Sequence, residues 1–291
     1  MAARSLLYLV LALVGFAANS LLCRAALGRN DIDASSFTTI RLASGALVLS
    51  LLCRFLPRGS SIQQISLGGA GSWPSGILLF IYAGAFSWAY HRLDTGTGAF
   101  VLFGTVQAAM ILPAFFRGER HGIIEYIGLL IAIGGLAYLT RPGFAAPDAV
   151  GVFLMFIAGV AWGIYSLRGR RASDPLWTTA GNFIRSIPFA LGLSLITILH
   201  IHILGSGALL AIASGALASG IGYTFWYTAL PSLTSIQSAL VQLLVPVFAA
   251  GGGILFLKEE PSARLIAGGI LVLSGVALNY YSASMVRRSQ C

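Results

Sequence analysis

Apolar runs of about twenty residues, each long enough to cross a hydrocarbon core of roughly 30 Å, recur from one end of this chain to the other. Bounded by charge, glycine or proline, they fall near 5–23, 36–56, 74–91, 96–116, 122–140, 149–167, 176–198, 207–229, 233–257 and 263–285. Ten such runs in 291 residues leave no room for a separate soluble domain. Charged residues make up only 9% of the chain, against about 25% in soluble domains, so the lipid bilayer is its solvent. The expected fold class is an all-α membrane protein of ten transmembrane helices. Arg4 followed by the run from Ser5 to Cys23 resembles a signal peptide, but nine further spans follow, and it reads as the first helix.

The basic residues report topology. On the side holding the N-terminus stand Arg4, Arg54, Arg58, Arg117, Arg120, Arg168, Arg170, Arg171, Arg287 and Arg288, ten in all. Arg24, Arg29, Arg92, Arg141, Lys258 and Arg264, six in all, stand on the other side. The positive-inside rule then puts both termini in the cytoplasm. A net charge of +9 does not point to nucleic acid, because the arginines sit singly between apolar spans rather than in a stripe. Cys23, Cys53 and Cys291 have neither metal-type spacing nor a disulfide framework. No metal, cofactor or protein partner is expected.

The linker at 142–148 separates a first five-helix half, 1–141, from a second, 149–291. The halves repeat weakly. At an offset of 140, Gly128 matches Gly268, Gly135 matches Gly275, Glu119 matches Glu259, Ala99 matches Ala239 and Ala89 matches Ala229. Ile40-Arg41 and Ile184-Arg185 agree at an offset of 144. Five crossings are odd in number, so the second copy starts from the opposite side and the repeats are inverted. That construction is typical of secondary transporters, with the substrate near the midplane between the halves.

Several motifs resemble the drug/metabolite transporter superfamily in its ten-helix EamA-type branch. Ala161-Trp162-Gly163 is similar to the family's Trp-Gly helix, and Tyr223 to Leu230 to its aromatic run ending in Ala-Leu. Pro246, Lys258-Glu259-Glu260 and Gly268 to Gly275 resemble its Pro, Glu and Gly-x6-Gly signature. The first half departs from the pattern: Phe16-Ala17 stands where Trp-Gly is expected, and Val106 stands opposite Pro246, with Pro113 two turns later. The resemblance implies an inner-membrane exporter of small metabolites, amino acids including aromatic and neutral ones foremost, working by alternating access. Sugars and nucleotide-linked solutes stay open. A membrane-embedded enzyme would need clustered acids, bases or metal ligands, and the chain has no His/Asp/Glu cluster and no candidate catalytic residue. A channel is a further alternative.

Polar and aromatic residues deep in aliphatic spans are the candidate substrate contacts: Asn19, Tyr82, Phe86, Gln107, Trp162, Tyr223 and Gln242. Tyr90, Tyr126, Trp177, Tyr227, Tyr280 and Tyr281, near span ends, read as an interfacial belt. Two arginines fall inside spans at a cost of roughly 2.5 to 3.5 kcal/mol each. Arg41 is expected to snorkel outward, and Arg185, deeper, to bond backbone carbonyls and Asn182. The resemblance implies that the second and seventh helices lie outside the pocket, so both arginines are expected to be structural. Pro113 and Pro246 are candidates for structure or gating, the latter with Gly251-Gly252-Gly253 behind it. No carboxylate lies at mid-span, which favours uncoupled transport over proton exchange.

Overall fold

The computed structural model describes residues 3–55, 70–116, 123–140, 146–170, 172, 174–233, 238, 241–242 and 244–288. These residues form helices and no strand: α1 (Ala3–Gly28), α2 (Ala34–Phe55), α3 (Trp73–Tyr90), α4 (Thr95–Phe116), α5 (Ile123–Thr140), α6 (Ala149–Gly169), α7 (Pro175–Ile196), α8 (Gly205–Ser232), α9 (Leu244–Leu257) and α10 (Ala263–Arg288). All ten expected helices are present. By length and apolarity alone, Ser5–Gly28, α2, α6 and α8 meet the requirement for crossing a bilayer. The surface is apolar, as lipid demands: Leu47, Leu130, Phe153, Leu209 and Leu255 are all more than half exposed. Asn19, Arg41, Gln107 and Gln242 are buried inside.

Local chemistry sets several boundaries. Asp148 and Asp174 cap α6 and α7 by accepting the amides of Gly151 and Trp177, each three residues on. Ser72 caps α3, with Pro74 in its first turn where a missing N–H costs nothing. Eight residues of α8, Ser214–Ile221, are π-helical and rich in Gly, Ala and Ser. A π segment inside a longer helix often marks a functional site.

The most extensive helix contacts follow a pattern in which adding or subtracting five from each helix number returns one of them. α2 packs on α7, α4 on α9 and α5 on α10, while the α3–α6 contact corresponds to α1–α8 and the α3–α7 contact to α2–α8. Glycines make the α5–α10 seam. A Cβ on Gly275 would strike the carbonyl of Gly128, and one on Gly268 would lie 3.3 Å from the carbonyl of Gly135. These four are the repeat-matched glycines, and their crossed pairing is what a two-fold axis requires.

Polar contacts tie the two ends of the bundle. At the end opposite the N-terminus, Glu259 accepts Arg24 Nε at 3.3 Å and the amide and hydroxyl of Thr95, and Arg24 pairs with Asp94 at 3.1 Å. Nearby, Ile32 bridges Ile203, and Asp33 joins the α1–α2 loop to His202. At the N-terminal end, Arg168 Nε donates to Ser75 Oγ at 3.0 Å, and Asn182 Oδ1 accepts the Ser72 amide at 2.9 Å.

Candidate substrate site

At the centre of the bundle, side chains from α1, α2, α3, α6 and α8 meet in one aromatic cluster. The Trp162 ring lies 5.0 Å from Tyr82 and 4.6 Å from Tyr223, and Tyr82 lies 5.3 Å from Phe86, centroid to centroid. Phe16 closes the group edge-on, 5.6 Å from Trp162 and 5.7 Å from Tyr223. All five rings are buried. Edge-to-face and tilted pairs of this kind contribute about 0.5–1.5 kcal/mol beyond area burial.

The backbone explains the convergence. Gly159 and Gly163, one turn apart, seat α6 against Thr105 and Ala109 of α4, holding Trp162 beside that seam. Trp162 Nε1 then donates to Gln242 Oε1 at 3.2 Å, and Gln242 Nε2 donates to the Ser238 carbonyl at 3.0 Å. Gly15 of α1 meets the backbone of Ala218 and Gly222 in α8. That approach brings Asn19 between Tyr82, whose hydroxyl its Nδ2 reaches at 3.3 Å, and Ser214, whose hydroxyl donates to its Oδ1.

Arg41 completes the cluster. Its side chain is 1% exposed and does not snorkel outward, contrary to the sequence-based expectation. Nε donates to Ser219 Oγ at 3.1 Å, and Nη2 to the hydroxyls of Tyr82 at 3.3 Å and Tyr223 at 3.1 Å. The guanidinium carbon stands 5.2 Å from the Tyr82 ring centre and 4.9 Å from that of Phe86. Room comes from α8: the carbonyl of Arg41 fits against Gly215, where any side chain would collide. The expectation that α2 keeps out of the centre is thus corrected for Arg41.

Arg185 behaves as expected in one respect, since its Nη1 donates to the carbonyls of Ala70 and Gly181. Asn182, its anticipated partner, instead serves Ser72 and donates to the Tyr165 hydroxyl at 3.3 Å. Asn19, Tyr82, Phe86, Trp162, Tyr223 and Gln242 are therefore brought together. Gln107 is buried in α4, but the described contacts that join the cluster run through other residues. Pro246 is buried near the start of α9 as described, and Gly252 behind it packs on Leu21. The side chains of Pro113, Tyr126, Tyr280 and Tyr281 lie outside the described residues. Tyr90 and Tyr227 do not belong to an interfacial belt, because both are buried.

Sequence reasoning passed over Phe16 and the α8 serines. Phe16 was visible only as a departure from Trp-Gly, yet an aromatic ring in place of Trp is what the cluster uses. Ser214 and Ser219 sit in the run Ser-Gly-Ala-Leu-Ala-Ser-Gly, whose small side chains give no hydropathy signal.

A helical bundle with an apolar surface and a buried polar and aromatic centre is a construction that membrane transport proteins use. The EamA-like transporter family model matches residues 149–281. The chain is 49% identical over 275 residues to an uncharacterized protein of Pseudomonas aeruginosa, covering 94% of each. It is 25% identical to a probable terminal-alkyne amino-acid exporter of Streptantibioticus cattleyicolor, over 93% of this chain and 91% of that protein. A protein of known crystal structure shares its fold at a TM-score of 0.62 and 22% identity, over 93% of this chain and 98% of that one. This chain belongs to the EamA-like transporter family, in the drug/metabolite transporter superfamily.

Proposed function

We propose that this membrane transporter exports small metabolites, amino acids including aromatic and neutral ones foremost, by alternating access through the central cluster. The observation that carries the reading is the cluster itself. Rings from both proposed halves, 1–141 and 149–291, meet around a buried group of hydrogen-bonding side chains, Asn19, Arg41 and Ser219. Stacking rings suit an apolar side chain, and the polar groups suit the charged end of an amino acid. The named function of the Streptantibioticus cattleyicolor relative points the same way. The crossed glycine pairs support inverted repeats, and the arginine bias supports cytoplasmic termini in a bacterial-type inner membrane.

Counterflow of labelled amino acids in liposomes tests the reading. Trp162→Ala and Tyr82→Ala should slow phenylalanine and tryptophan more than alanine or threonine, after normalisation to folded protein. Loss of Gln242, which holds Trp162 and offers no ring, should slow all of them alike. Wild-type flux in all three variants would remove the cluster as the site. Absence of any amino-acid flux in the unmutated protein would remove the substrate class.

A further inference from the structure

We propose that Arg41 anchors a carboxylate on the transported solute, with Nη1 as the donor. The inference rests on reading the central cluster as the substrate site. A guanidinium has five N–H donors, one on Nε and two on each terminal nitrogen. The described bonds of Nε and Nη2 engage three of them, and Nη1, buried, has no partner among the described residues. Nor does a described carboxylate pair with its charge. Among the described residues, the ion pairs join Arg24 to Asp94 and Glu259 and Arg92 to Asp148, all at the far end of the bundle.

The comparison with Arg185 separates the two roles. Arg185 spends its donors on fixed backbone carbonyls and sits only partly buried. Arg41 is wholly buried, and its described partners are hydroxyls and ring faces, neutral side chains that turn about their own bonds. An unpaired buried cation is costly in a bilayer and is compensated when an anion arrives, which gives the site a reason to hold a negatively charged group. Arginine suits a carboxylate in particular because each contact is charge-assisted. The Phe16, Trp162 and Tyr223 rings beside it suit an apolar remainder. The solute class is therefore an apolar or aromatic carboxylate, with the amino group optional.

The test uses the full-length protein in detergent, with 3-phenylpropanoate and its amide as probes and thermal stabilisation as the readout. The carboxylate should raise the melting temperature and the amide should not. Arg41→Gln should weaken the carboxylate response at least about tenfold, the worth of one charge-assisted bond. Arg41→Lys, which keeps the charge on one nitrogen, should fall between. If Arg41→Gln does not fold, the wild-type and Arg41→Lys comparison decides. Equal stabilisation by carboxylate and amide, no stabilisation by the carboxylate, or wild-type carboxylate affinity in a folded Arg41→Gln protein would overturn the proposal. Carboxylate-specific stabilisation in a protein that carries no amino acid in counterflow would retain the anchor and remove the amino-acid reading alone.

Discussion

Glu259 is where the first half of the chain is latched to the second at the end opposite the N-terminus, and its replacement by Gln gives a measurable change in access. Its two oxygens accept the Thr95 amide at 3.1 and 3.0 Å, the Thr95 hydroxyl at 2.9 Å and Arg24 Nε at 3.3 Å. Lys258 before it holds a left-handed φ of 57°, a conformation that lets the Glu259 amide turn back to the Gly253 carbonyl. Hydrogen bonds to charged groups contribute about 1.5–3 kcal/mol net when buried. Arg24 and Glu259 side chains are 22% and 15% exposed, and a glutamine keeps one acceptor oxygen. Opening at this end should therefore become easier by about 1–2 kcal/mol, roughly a five- to thirtyfold change in population. Cys23 is a built-in reporter: it lies one turn from Asn19, next to Arg24, and is fully buried. With Cys53 and Cys291 changed to Ser, an impermeant maleimide applied from the side opposite the N-terminus should label Cys23 about tenfold faster in Glu259→Gln than in the parent. An unchanged rate in folded protein, or acceleration only from the N-terminal side, would refute the latch.

Arg185→Ala should lower the melting temperature through loss of the Ala70 and Gly181 contacts while leaving affinity for folded protein unchanged; normal stability with abolished binding would reverse its role. Gly275→Leu should destabilise by about 1–3 kcal/mol in thermal melts, more than Gly268→Leu, while Gly134→Leu, whose Cβ position meets nothing, should be neutral. Burial alone would raise the Asp33 carboxyl, but hydrogen bonds from Ser35, Ser36 and the His202 amide outweigh it and hold its pKa below the ordinary carboxylate value. A depressed folded value contributes stability above the ordinary carboxylate range that is lost as pH falls through it, so melting temperature should drop on acidification and Asp33→Asn should flatten that part of the profile. Labelling after Arg141→Cys and Arg168→Cys should show opposite sidedness, and common sidedness would remove the five-crossing half.

The helices were legible because lipid imposes a length and an apolarity that few residues can evade. Their ends followed from charge, glycine or proline beside each run, and at Asp148 and Asp174 the structure shows that the flanking charge is also the N-cap. The glycine matches at offset 140 were legible as a repeat, and their crossed contacts place all four in the α5–α10 seam. The members of the cluster were mostly legible too, since a polar or aromatic side chain in mid-span has nowhere to go but inward. What hydropathy could not reveal was which side of a helix faces the centre. Tyr90 and Tyr227 are near span ends, as belt residues are, but their helices turn them into the protein. The π segment of α8 was equally invisible, because its Ser, Gly and Ala side chains have no periodicity to read.

The two arginines show the same limit most clearly, because the sequence presents them as equivalent. Each follows an isoleucine in the second helix of its half, and the backbone treats them alike: Gly215 of α8 fits against Arg41 as Gly76 of α3 fits against Arg185. The side chains nevertheless part. Arg185 lies one turn from Gly181, over which the Ala70 carbonyl is pressed, and that fixed acceptor draws it toward the N-terminal end of the bundle beside Trp73. Arg41 meets Ser219 and the hydroxyls of Tyr82 and Tyr223 instead, and is drawn to the centre. A two-fold scaffold therefore carries an asymmetric charge, one cation held by backbone near an end and one by movable side chains in the middle. The first is satisfied by the carbonyls it bonds, and the second is the kind of cation that the proposed carboxylate anchor requires.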